Sequence, residues 1–195
     1  MNTPTDHANA HAETTAVPSD WANFLWLAIL CVAGVGGSLV ISCVAPFVAL
    51  AVALAGTVRI SLALRVMSVI WFTNQLIGFC FFHFPRTANT FLWGFTIGGA
   101  ALLSTWVASL AINRARPSSI IARLTLALGV GFVAYEGTLV VAALVLGGVE
   151  TFAPATVAQL ALVNAVWFAG LIALNEVISI LGKSLIGEMP RLVKA

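Results

Sequence analysis

The chain alternates long apolar runs with short polar or basic breaks. The runs extend from about Trp21 to Ser42, Pro46 to Val58, Val66 to Phe84, Thr90 to Ile112, Ile120 to Leu146 and Thr156 to Leu181. Most have the length of roughly 20 residues that an α-helix needs to cross bilayer hydrocarbon. The pattern therefore predicts an all-α membrane protein of six transmembrane helices. The second run is the exception. Started by Pro46, it covers only about 20 Å as a helix, so it must tilt little, thin the bilayer, or borrow residues up to Leu64. Trp21 and Trp26 stand near the start of the first run, where interfacial anchors are common. Its middle is small on several faces, and the pairs Ala33/Gly37 and Gly34/Ser38 suit either close packing within the chain or docking of a partner helix.

The breaks set an orientation. Six spans put both ends of the chain on one side, together with Arg59, Arg65, Arg114, Arg116, Arg123, Lys183, Arg191 and Lys194. Arg86 alone falls on the other side. Positive charge collects on the cytoplasmic side, so both termini are expected to be cytoplasmic and Arg86 exterior. Residues 1–20 form a polar tail with Asp6, Glu13 and Asp20 and no Lys or Arg, unlike the positive start of a signal peptide. A disordered tail is expected there, then a membrane domain over residues 21–182 and a basic cytoplasmic tail over 183–195.

Composition narrows the class further. Charged residues make up 8% of the chain and hydrophobic ones 61%, whereas a soluble domain carries about a quarter charged residues. No basic–aromatic ribbon suggests nucleic acid. Cys31, Cys43 and Cys80 form no CxxC pair, and the first two sit in apolar surroundings where a thiol acts as a small hydrophobe.

Cys80 is different because of its company, in the stretch Trp71 to Arg86 (WFTNQLIGFCFFHFPR). If this helix continues to Phe84, then Thr73, Leu76, Ile77, His83 and Phe84 fall within about 60° of Cys80 on a helical wheel. That face joins a soft sulfur donor, one imidazole and aromatic walls. Asn74 and Gln75 point elsewhere and suit helix packing. Thiolates favour soft or borderline metals; Arg86, if it comes close, would favour the thiolate, and loss of water would push the other way. One cysteine and one histidine do not make a closed metal site. A metal already held in a macrocycle needs only one axial donor. Asn89, Trp93, Glu150 and Thr151 fall at the same outer mouth. Glu136, near mid-depth, suits a helix–helix bond to a neighbour such as Asn164, a substrate contact or a proton relay.

On these residues the chain resembles the BtuM family, small six-span cobalamin transporters related to the S-components of energy-coupling-factor vitamin importers. The likeness rests on size, six spans and the segment LIGFCFFHFP, and it extends over about Trp21 to Leu181. It implies an S-component-like bundle in the bacterial inner membrane that binds cobalamin in its outer half. Cys80 would be the axial ligand of the cobalt, with thiol-assisted removal of cyanide from cyanocobalamin. Cobalamin is then cargo, and no free metal is expected. Position alone adds His83, Phe84, Thr73, Arg86 and Trp93 as cobalamin contacts. The partner would be an energising module of transmembrane coupling subunit and ATPases, or none. Two alternatives remain open: an S-component for another vitamin, and an intramembrane cysteine enzyme with His83 as base. The second lacks an orienting acid in the neighbouring sequence.

Overall fold

The computed structural model describes residues 19–40, 46–115 and 119–185, with their side chains except those of residues 19–23, 38–40, 179 and 181–185. Both expected tails therefore lie mostly outside the described residues. The regular elements are α1 (Ser19–Val40), α2 (Phe47–Thr57), α3 (Ile60–Cys80), α4 (Ala88–Arg114), α5 (Ile120–Leu146) and α6 (Pro154–Leu185), with a 3-10 turn at Val149–Phe152. No strand occurs among the described residues. Four stretches are long and apolar enough to cross a membrane: α3, α4, α5 and Pro154–Ile178 of α6. The chain is an all-α protein with the character of a multi-pass membrane protein.

The bundle is built around α2. Its sequence, FVALAVALAGT, has no polar position before the last residue, and every residue from Phe47 to Leu54 is buried. A helix that is apolar all round is stable only where apolar neighbours surround it. The other five supply them: α1, α3, α4, α5 and α6 each pack against α2, and consecutive members of that series also touch. Alanines at 49, 51 and 53 keep its girth small, so several helices approach at once. With 11 residues, α2 is about 16 Å long, half of a bilayer's hydrocarbon. It does not cross alone. The expected tilt, thinning or borrowing is replaced by shelter within the ring.

The chain breaks at Val58 and Arg59, both extended, and α3 begins at Ile60. This is earlier than the expected start at Val66. Arg65 consequently lies inside the helix, where its Nε donates to the Ser61 carbonyl at 3.1 Å. A single extended residue pair suffices for the turn.

The opposite end of α2 meets a problem specific to apolar surroundings. Its first N–H groups have no intrahelical acceptor, and leaving them bare in a bilayer costs several kcal/mol. Asn164 of α6 answers part of this, accepting from the Ala49 N–H through Oδ1 at 3.2 Å. Its Nδ2 donates to the Leu160 carbonyl at 3.0 Å, which holds the carboxamide in place. Hydroxyls elsewhere are silenced locally. Thr57, Ser68, Thr96, Thr105 and Thr138 each donate to the carbonyl four residues earlier.

Two expectations about α1 are resolved by packing. Trp26 is no interfacial anchor: it is fully buried, and its Nε1 donates to Thr57 Oγ1 at 3.3 Å. The end of α2 offers a hydroxyl, so the indole finds its partner inside. The small face of α1 serves the bundle itself. A Cβ on Gly34 would stand 2.7 Å from Ile70, and one on Gly37 would stand 3.0 Å from Trp167. A similar seat joins α4 to α3, where a Cβ on Gly98 would lie 2.5 Å from the Trp71 indole.

Two substitutions test this core. Asn164→Leu strips the α2 amide of its acceptor and is expected to destabilise by about 1–3 kcal/mol. Gly98→Leu forces Trp71 off α4, at a cost of about 1–3 kcal/mol from overpacking. Both are read as lowered unfolding temperature in detergent, against an exposed control such as Val145→Ala.

Candidate functional site

The end of α3 sets the geometry around Cys80. Phe84 precedes a proline, which disfavours helical backbone there, and the helix stops well before it. Phe81 and Phe82 still donate to the Ile77 carbonyl, at 2.8 and 3.2 Å. Phe84 N–H then reaches back to the Gly78 carbonyl at 3.1 Å, with its ring seated where any Gly78 side chain would be. The expected helix to Phe84 is thus corrected to one ending at Cys80. His83 and Phe84 leave the wheel face assigned to them, because the chain has already turned.

Cys80 itself is exposed. The buried stripe of α3 runs through Ala63, Met67, Ile70 and Gly78. At 100° per residue Cys80 stands about 120° around the helix from that stripe. Its own face carries half-buried Thr73 and the exposed Val69 and Leu76. The thiol is therefore at the rim of the bundle, on a flank turned away from α2.

His83 adopts φ of 54°, the one positive value among non-glycine residues described. Histidine tolerates this region better than most residues. Its Nδ1 lies 2.8 Å from the Phe81 carbonyl. A carbonyl only accepts, so Nδ1 carries the proton, and in the neutral ring Nε2 keeps its lone pair. The side chain is exposed, and Nε2 is the atom available to a ligand.

Aromatic rings close the space beside the turn. Phe79 stacks on Phe91 of α4 with centroids 4.8 Å apart, meets Phe84 edge-on at 6.1 Å, and Phe84 lies 6.3 Å from Phe82. Phe81 remains exposed. Arg86, also exposed, lies in the connection above, followed by Thr87, whose Oγ1 caps α4 by accepting from the Thr90 N–H at 3.2 Å. Trp93 does not join this group. It packs toward Gly148, in the turn after α5.

A cavity of about 210 Å³, not expected from the sequence, lies between α3 and α4. Trp71, Phe72, Gln75, Leu76 and Phe79 line it from α3, and Phe91, Gly94 and Phe95 from α4. Trp71 Nε1 donates to the Gly94 carbonyl at 2.8 Å and fixes its floor. The matching four-residue spacings of Trp71/Gln75 and Gly94/Gly98 were the available signal, large residues on one helix facing glycines on the next. A second, more polar cavity of about 360 Å³ lies at the other end of the bundle, between the α2–α3 connection and Ser109, Ile112 and Asn113.

Glu136 is buried at 7% exposure, and its Oε2 has no hydrogen-bond partner. Of the three roles open to it, a bond to Asn164 is not made, since that carboxamide serves Ala49 and Leu160. Among the described residues, no three of His, Cys, Asp and Glu gather to hold a metal. Comparison with protein-family models, with curated protein sequences and with solved structures found no match.

The backbone at His83 makes a prediction that separates fold from ligand chemistry. His83→Gly keeps the turn, whereas His83→Ala places an ordinary side chain in left-handed backbone at a cost of about 1–2 kcal/mol. The alanine variant should therefore unfold at lower temperature than the glycine variant. Equal stability would show that the positive φ is not maintained.

Proposed function

We propose that this protein binds cobalamin at the α3–α4 end of the bundle and carries it across the bacterial inner membrane, with Cys80 as the axial ligand of cobalt. The observation that carries this reading is the exposed thiol at the very end of an apolar helix, beside aromatic rings and a histidine whose Nε2 is free. A corrin brings four equatorial nitrogens of its own, so one protein donor completes an axial position where a bare ion would need several. Thiolate is a donor that suits soft and borderline metals.

The α3–α4 cavity, at about 210 Å³, is below the roughly 300–1,000 Å³ of pockets that enclose drug-sized ligands. The corrinoid is accordingly placed across the rim, with its cobalt over Cys80, its face on the phenylalanines of the turn, and His83 and Thr73 at its margin. Trp93, seated against Gly148, drops out of this contact set. Binding of the Cys80 thiolate to cobalt would labilise cyanide, which would leave as the anion with its electron pair and cobalt's oxidation state unchanged, so ligation and decyanation would use the same atom.

The orientation belongs to the same proposal. Arg59 and Arg114 lie at one end of the bundle, where the α2–α3 connection meets the last turn of α4. Arg86 lies at the other, with the α5–α6 turn. Positive charge marks the cytoplasmic end, which puts Cys80 outside and both termini in the cytoplasm, with six membrane-inserted helices. Whether an energising module docks is left to the small residues of α1. Gly34 and Gly37 already face the bundle, which favours action without one.

Two measurements test the reading. Protein purified from cobalamin-fed cells should be coloured, and Cys80→Ala should change the spectrum of the bound corrinoid; an unchanged spectrum excludes sulfur as the ligand. In a strain lacking its own cobalamin importer, the wild-type chain should restore cobalamin-dependent growth, and failure to do so with the protein inserted in the membrane removes the transport role.

A further inference from the structure

Glu136 takes no part in the carriage proposed above. It lies on α5 about 15 Å of helix from the turn that follows, with 7% exposure and no partner for Oε2. Neither a packed interior nor hydrocarbon holds a bare carboxylate, so a charge there needs a cation close by. The elements packed on α5 bring none among the described side chains. α2 has no titratable residue, α4 has only Arg114 in its last turn, the 3-10 turn has exposed Glu150, and α6 has exposed Glu176. On α5 itself, Tyr135 turns to the Phe47 ring, and Arg123 stands about 20 Å of helix away. In this arrangement Glu136 therefore carries its proton.

A polar stripe on α4 marks a way out for that proton. Ser104 is fully buried, and its Oγ also lacks a partner. A Cβ on Gly131 would stand 3.1 Å from this oxygen and 3.5 Å from Val48, which puts Ser104 where α2, α4 and α5 meet. From Glu136 to Gly131 is about 7.5 Å of helix, toward the α2–α3 end. Ser109 follows Ser104 at the same interval along α4, 7% exposed, and accepts from Asn113 Nδ2 at 3.4 Å. Both Ser109 and Asn113 line the polar cavity of about 360 Å³ at the α2–α3 end. The other buried residues of α4 are glycine, alanine and isoleucine, apart from Thr105, whose hydroxyl is committed to the Ala101 carbonyl. Steps of this length are spanned by about two hydrogen-bonded waters, and water is the usual partner of buried polar atoms that the protein leaves unpaired. We infer that Glu136 is a proton-binding site that exchanges with the polar cavity at the α2–α3 end by way of Ser104 and Ser109. The step is proton transfer alone: the carboxyl O–H breaks, its electron pair stays on Glu136, and the proton passes to water. A proton held at mid-depth and released toward one end is what an ion-coupled carrier needs. Its use to drive uptake rests on the transport reading; the site itself does not.

The site is tested without a corrinoid, by infrared spectroscopy of the full-length protein in nanodiscs. At a pH of about 8, far above the ordinary carboxylate value of about 4, wild type should show the C=O stretch of a protonated carboxyl. Glu136→Gln, which matches the protonated form in shape, should lack it. In heavy water the band should shift as the proton exchanges. Ser104→Val and Ser109→Val should each slow that shift by roughly tenfold, as for a lost hydrogen bond. Thr96→Val, on the opposite side of Glu136, should leave it unchanged. Thermal unfolding of each variant verifies that it is folded. A missing band in wild type overturns the site, and exchange as fast in both serine variants as in wild type overturns the route. Coupling is read separately, in proteoliposomes. Cobalamin uptake by wild type should quicken when the exterior is acidified, and uptake by Glu136→Gln should not respond. Wild-type uptake that ignores the gradient overturns the coupling; no uptake at all overturns the transport reading and the coupling with it, while the infrared result still decides the proton site.

Discussion

Hydrocarbon offers no hydrogen bonds, and that constraint shapes this molecule more than any single contact. Backbone in the bilayer must be helical, and a helix end within it must be answered by another part of the protein. The half-length α2 is possible only because its apolar surface is wholly enclosed and because Asn164 accepts from an amide at its start. The rest follows from that enclosure. The five other helices are held at the distance α2 sets, Trp26 turns inward to the hydroxyl at its far end, and the glycines of α1 and α4 admit large side chains of their neighbours. Hydroxyls that bond within their own helix leave few polar atoms to settle, and those that are unsettled are informative.

The candidate site sits where this order relaxes. Beyond Cys80 the helix gives way to a turn, and the turn is built from phenylalanines, a left-handed histidine and a proline. Aromatic rings fill the volume that a regular helix would have filled, so the turn is firm although exposed. An exposed thiol beside packed aromatic rings differs chemically from one buried among leucines, because its sulfur is open to what lies outside the bundle. On the adjoining flank, aromatic side chains of α3 and α4 line an apolar cavity.

How much of this was legible in the sequence depends on the element. The fifth helix was bounded correctly from the apolar run between Ser119 and Gly147, because both ends carry strong local signals. The third was displaced at both ends. Its start was hidden because Arg59 and Arg65 read alike as loop charges, although only Arg59 precedes the helix. Its end was hidden although Pro85 disfavours helix at Phe84, because the seat of Phe84 over Gly78 that goes with the earlier stop exists only in three dimensions. The burial of Trp26 and the capping role of Asn164 depend on α2 being central, which an apolar run of 11 residues does not announce. Cys80 was found from its neighbours in sequence, while the cavity below it needed two helices to be seen together.

Access and occupancy of the thiol are the centre of the account, and one assay addresses both. Intact cells expressing a variant with Cys80 as its sole cysteine are exposed to a membrane-impermeant thiol reagent, with and without cobalamin. Labelling from outside is expected in the absence of the vitamin, and protection in its presence. Labelling only after the membrane is opened, or labelling that cobalamin leaves unchanged, would contradict it.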